Sequence, residues 1–199
     1  MVRAILASTK SQTRRAFSPR MEKLMRAAAA MGEVSHFLDE GSMQPNDLDY
    51  VRSFCPYGQP GDRLWVRETW CRQWDDERGF LDECWYRASD PDVVSVDAME
   101  KSPWKPSIHM PRWASRITLD IKAVRIERLQ DISDQDAAAE GVATWAPGAL
   151  SPDSLNADPS DQFRWLWCSI NGPDSWDANP WVWVVEFERA KATEKGKRQ

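Results

Sequence analysis

Between Arg116 and Leu129 the chain alternates apolar and polar side chains, then slips by one residue. Ile117, Leu119 and Ile121 alternate with Thr118, Asp120 and Lys122, but Val124 and Ile126 resume the apolar series one position late. Strand side chains repeat every two residues, so a slip either flips the buried face or inserts an extra residue. The second solution predicts one long strand with a β-bulge or bend near Ala123. A strand that long and bent belongs in a curled sheet rather than a flat one. The end of the chain supplies a second strand, with Trp181, Trp183, Val185 and Phe187 facing one way and Val182, Val184 and Glu186 the other.

The remaining elements are short. Val2 to Ala7 predicts one or two helical turns, and Arg14 to Phe17 a strand start. Pro19, in the favoured first turn of a helix, opens a segment that Gly32 closes. Leu64 to Trp70 reads as a strand after the turn Pro60-Gly61-Asp62-Arg63, and Cys84 to Arg87 as a short one. Ser133 with Asp136 three residues on is a capping pattern for a short helix ending before Gly141. Phe163, Leu166, Trp167 and Ile170 have helical spacing. Residues 33–60, with at most one helical turn, and the acidic or Pro-rich stretches 71–83, 89–106 and 143–160 read as loops. The class is α+β: a small, partly closed mixed β-barrel with flanking short helices and long loop insertions.

A chain of 199 residues at 22.9 kDa fits one domain over 1–189, with insertions near 33–58, 71–106 and 143–160 and a charged tail over 190–199. No apolar run approaches the ~20 residues of a membrane span, and no long apolar leader follows Met1, so a cytoplasmic protein without membrane partners is expected. Cys55, Cys71, Cys84 and Cys168 form no C-x-x-C pair and are expected as free thiols, with no metal or organic cofactor. Net charge is −5, which argues against salt-driven coating of nucleic acid. The charge is uneven: residues 1–32 hold seven Lys/Arg against one acid, and residues 101–129 seven against two. Two such basic blocks on one face would make a local anion site.

Several segments resemble the ASCH family, in particular a phage and prophage branch of it. They are Val2-Arg3-Ala4-Ile5-Leu6 followed by Lys10-Ser11-Gln12-Thr13-Arg14-Arg15, and Pro60 through Trp70. Ile108 through Arg116, Leu129 through Ser133, and Asn179 through Val184 add to them. The resemblance implies a barrel similar to the PUA domain and an association with RNA, nucleosides or nucleotides. One branch hydrolyses the N4-acyl group of acetylcytidine with a Lys, a Thr three residues on and a Glu on a later strand; Lys10, Thr13 and Glu68 match that pattern.

On that resemblance Thr13 is the nucleophile and Lys10 its base. A helical turn would place the two on one face. Lys10 must be neutral to act, which burial or cationic neighbours such as Arg14 and Arg15 favour. Glu68 either donates a proton to the leaving amine or stands nearer the substrate than the lysine. The plainer reading of the trio is a Lys10–Glu68 ion pair with Thr13 bonded to backbone. Arg14 or Arg15, on alternating faces of a strand, is a phosphate or carbonyl ligand. Trp70, Trp104 and Trp113, near strand ends or loops, are candidates for stacking on a base, and His109 and Arg112 for the same substrate site. Trp65, Trp167, Trp181 and Trp183 are expected in the core. The leading function is hydrolysis of the amide of an N-acylated nucleoside such as N4-acetylcytidine. The rivals are a non-catalytic RNA or modified-DNA binding module and a ribonuclease on the same fold.

Overall fold

The computed structural model describes residues 1–33, 45–90, 102–142 and 157–191, with the side chains of residues 45–47 outside that description. The insertions expected over 89–106 and 143–160 and the charged tail lie largely outside the described residues. In chain order the elements are α1 (Val2–Leu6), β1 (Gln12–Ala16), α2 (Pro19–Ala30), α3 (Pro45–Arg52), β2 (Arg63–Trp65), β3 (Trp70–Asp75) and β4 (Gly79–Tyr86). There follow β5 (Thr118–Arg128), α4 (Asp134–Ala139), α5 (Pro159–Asn171) and β6 (Trp181–Arg189). The class is mixed α+β, built on a curled antiparallel half-barrel sheet in the order β1-β6-β5-β2. A separate hairpin pairs β3 with β4. Among the described residues no helix is long and apolar enough to cross a membrane.

The slip read in β5 is a bulge. Ile121 faces Phe187 and Ala123 faces Glu186, leaving Lys122 as the extra residue, ion-paired with Glu188 at 2.9 Å. The extra residue returns Val124 and Ile126 to the side that holds Ile121, where all three join one core cluster. That cluster gathers Trp181, Trp183 and Val185 of β6 under Met21 and Met25 of α2 and Val51 of α3. Trp183 is fully buried and stacks on Phe17, with ring centroids 4.5 Å apart. The opposite face of β6 buries Val182 and Val184 against Ala137 of α4 and Phe163 and Trp167 of α5. Burial of each such side chain contributes about 1.5–3 kcal/mol, so β6, apolar on both faces, anchors the fold. The Ser18 and Ser133 side chains cap α2 and α4 by accepting from the N–H groups of Met21 and Asp136.

Four expectations change. Residues 71–83 form most of a hairpin rather than an acidic loop. Asp75 accepts from the N–H groups of Glu77 and Arg78 in the turn, Gly79 takes a positive φ of 75°, and Trp74 meets Phe80 edge-on at 4.8 Å. Asp82 and Glu83 are exposed side by side on β4, so their charge gave the stretch the look of a loop. The strand expected over Leu64–Trp70 stops at Trp65, and Trp70 opens the hairpin. Within 33–60 the chain forms the two turns of α3, whose Val51 is completely buried. The first strand begins at Gln12, two residues earlier than expected.

Candidate functional site

β1 is an edge strand paired with β6, and the register assigns its faces. Thr13 stands opposite Val185, and Arg14 opposite Val184. Val185 belongs to the α2 side of the sheet and Val184 to the α4/α5 side. Directly opposed residues share a face, so Arg14 points toward α4 and α5 while Thr13 points away. Gln12 lies on the Arg14 face, and the Gln12 amide donates to the Asp136 carbonyl at 2.6 Å.

Lys10 is held at the start of this face by two backbone contacts. The Lys10 N–H donates to the Ala4 carbonyl at 3.2 Å, and the Ser11 N–H donates to the Ala139 carbonyl at 2.9 Å. Gly141, at φ 78°, lets the end of α4 press on that segment; a Cβ there would meet the Cβ atoms of Ala4 and Lys10 at 3.0 Å each. The Lys10 ammonium is thereby placed on Glu140, donating to its carbonyl at 2.8 Å and to its Oε2 at 2.6 Å. Both side chains are about 95% buried, with 5% and 4% exposure.

Arg14 extends the network. Its Nη2 donates at 3.0 Å to both Glu127 Oε2 and Asp136 Oδ2, and its Nη1 lies 3.5 Å from Glu140 Oε1. Arg125 closes the far side by bonding Glu127, Asp136 at 3.2 Å and Glu186 at 2.8 Å. Burial holds the Lys10 pKa below its ordinary value, and the Arg15 and Arg14 charges push the same way against the opposing Glu140 carboxylate. Burial raises the Asp136 carboxyl, but Arg125 and Arg14 together carry it below the usual range.

Lys10, Arg14 and Glu140 form the polar end of a cavity of about 740 Å³. Its apolar wall is Phe163, Leu166, Trp167 and Ile170 of α5, the four residues whose helical spacing reads as a core face. Ile170 is 67% exposed, which shows that this stripe faces an open space along part of its length. Arg15 also lines the cavity. Alternation along β1 predicts only one of Arg14 and Arg15 here. The edge position resolves this: the Arg15 side chain folds back so that its Nη1 donates to the Arg14 carbonyl at 2.8 Å.

The structure does not gather the expected trio. Residues 10–13 are extended rather than helical, so Lys10 and Thr13 do not share a face, and Thr13 does not line the cavity. Thr13 Oγ1 is buried without a hydrogen-bond partner on the opposite side of β1. Glu68, buried, is gripped by Arg116 at 2.9 and 3.0 Å. The carboxylate beside Lys10 is Glu140, and sequence reasoning passed over it. The available signal was its position between an alanine run and Gly141.

The other expected substrate residues fall elsewhere. Arg112, Trp113 and Arg116 line a second cleft of about 890 Å³, together with Trp65, Tyr86, Arg189 and Lys191. Arg112 lies 5.9 Å over the Trp65 ring, and Trp113 is 57% exposed. Trp70 is buried with Met110 and Ala114 rather than free for stacking, because it opens β3 instead of ending a strand. Trp65, expected in the core, is half-buried at the cleft. His109 ends an exposed 3₁₀ turn, Ser107–His109, and lines neither space. The four cysteines are free. Among the described residues no group of three or more His, Cys, Asp and Glu is arranged to hold a metal ion. Comparison with protein-family models, curated proteins and solved structures finds no match to this chain.

Proposed function

We propose that the cavity binds a modified nucleoside and hydrolyses its N-acyl amide, as the ASCH resemblance implies, on a PUA-like half-barrel in a cytoplasmic setting. The observation that carries the reading is a buried lysine of lowered pKa at the polar end of a cavity with an aromatic wall. A volume of about 740 Å³ suits a nucleoside-sized ligand. Leu166 and Ile170, the half-buried and exposed residues of the α5 wall, offer an apolar surface for a flat base, with Phe163 and Trp167 buried behind them.

The chemistry places water, rather than Thr13, as nucleophile. Lys10 acts in its neutral form, which burial and the Arg15 and Arg14 charges favour and Glu140 opposes, and takes a proton from water as the water oxygen adds to the acyl carbon. The Arg14 guanidinium stabilises the oxyanion that forms. As the C–N bond breaks, the Lys10 ammonium returns its proton to the departing amine, and the acid and amine leave. Glu140, 2.6 Å from Lys10, orients the base. The test is release of cytidine from N4-acetylcytidine and its deoxy form, followed by chromatography. Release should be lost in Lys10→Ala and kept in Thr13→Ala. No release by the folded wild-type protein would contradict the proposal.

One observation favours a second reading, a nucleic-acid binding module. The cleft beside Trp113 is lined by Arg63, Arg112, Arg116, Arg189 and Lys191 and by no carboxylate. Among the described residues Arg112, Arg189 and Lys191 make no ion pair. Cations interleaved with tryptophan suit phosphates and stacked bases. Oligonucleotide affinity that falls steeply with salt, without product, would select this reading. RNA cleavage abolished by Lys10→Ala would instead select a ribonuclease.

A further inference from the structure

The Arg14 guanidinium is 1% exposed and carries five N–H donors. Only its Nη2 is used in hydrogen bonds; Nε and Nη1 are buried without a partner. Glu140 Oε1 is likewise a buried acceptor without a hydrogen bond, 3.5 Å from Arg14 Nη1. Unused donors and an unused acceptor therefore stand side by side at the polar end of the cavity. Leaving buried groups unsatisfied is costly, and such clusters need a specific cause.

We infer that Arg14 and Glu140 read a ligand edge bearing adjacent N–H and C=O groups, so the cavity selects for an imide or a cis amide, whose N–H and C=O lie on one edge, over an ordinary trans amide, whose N–H and C=O point apart. The carbonyl oxygen accepts from Arg14 and the N–H donates to Glu140. A carboxylate or phosphate would satisfy Arg14 but would meet the Glu140 oxygen, with Glu127 and Asp136 close behind it. A simple amine would satisfy Glu140 and leave the arginine donors unused. An imide or cis-amide edge satisfies both. The Trp167 indole N–H, also buried without a partner, offers a donor to a second ligand carbonyl. This specificity rests on the cavity being the ligand site, but not on the cavity performing hydrolysis.

Titration calorimetry with uridine and 3-methyluridine tests it. Uridine presents a ring H–N–C=O that the protein has no amide hydrolysis to consume; 3-methyluridine replaces the N–H by N–CH₃. The wild-type protein should bind uridine about 10- to 100-fold more tightly, the range for leaving a buried polar group unpaired. The double variant Lys10→Met/Glu140→Leu removes the acceptor without stranding a charge, and should bind the two alike. Arg14→Lys keeps the positive charge and loses the fork, and should weaken uridine binding. No binding of either probe, or a preference that survives in the double variant as a purely steric effect, would overturn the inference. Discrimination without acyl release would leave it standing and defeat the hydrolase reading. Acyl release without discrimination would do the reverse.

Discussion

The Lys10–Glu140 pair supports a double-mutant cycle. The two side chains are 5% and 4% exposed and their charged atoms are 2.6 Å apart, so solvent screens them little. Removing one partner of a buried pair costs about 3–5 kcal/mol, because the other charge is left in a poor environment. Lys10→Met leaves Glu140 with Arg14 at 3.5 Å, which places this variant near the low end, about 3 kcal/mol. Glu140→Leu leaves the ammonium with the residue-140 carbonyl and the repulsive Arg14 and Arg15, near the high end, about 5 kcal/mol. The double variant replaces the pair with apolar groups of similar volume and should lie within about 1 kcal/mol of wild type. Urea unfolding reads all four proteins; with m of about 1–3 kcal/mol/M, a loss of 3 kcal/mol lowers the midpoint by about 1–3 M. Single losses below about 1 kcal/mol, or a double variant equal to the two added together, would refute the burial and coupling assigned to this pair.

Gly141→Ala should destabilise the fold by about 2 kcal/mol through positive-φ strain and its contacts with Ala4 and Lys10, seen as a lower melting temperature. Because the folded Asp136 carboxyl is held below its ordinary value of 3.8, its stabilisation is full above that pH and is lost as pH falls through the folded value. Asp136→Asn should therefore flatten the acid limb of stability against pH. Lys10 gives a slope of the same sign at higher pH: its folded pKa lies below 10.5, so charged Lys10 burdens the fold at low pH, and stability rises as pH climbs through the folded value toward 10.5. Lys10→Met should remove that rise. Glu68→Gln should cost about 1–3 kcal/mol by loosening Arg116, and leave acyl release intact.

What the sequence disclosed follows from which signals are local. The bulge near Ala123 was legible because a one-residue slip in a period of two has few solutions. The two faces of β6 were legible for the same reason, and the cap at Ser133 from its spacing to Asp136. The β3–β4 hairpin was hidden because its outward residues are acidic, and charge resembles a loop until the partner strand is seen. The site was half legible. Lys10, Arg14 and Arg15 do line one cavity, but the partner of Lys10 lies 130 residues away and is chosen by the packing of α4 against β1. No local pattern reports that contact. The α5 stripe was read correctly as apolar, yet periodicity does not say whether such a face meets a core or borders a cavity.

The most direct test is a crystal structure of Lys10→Met with N4-acetylcytidine, in which binding is separated from turnover. The base should lie against the α5 wall at Leu166 and Ile170, with the acyl group at residue 10 and its oxygen on Arg14. A ligand seated instead in the Trp113 cleft, or one in the cavity with its acyl group turned to solvent, would contradict the assignment of this cavity as the reactive site.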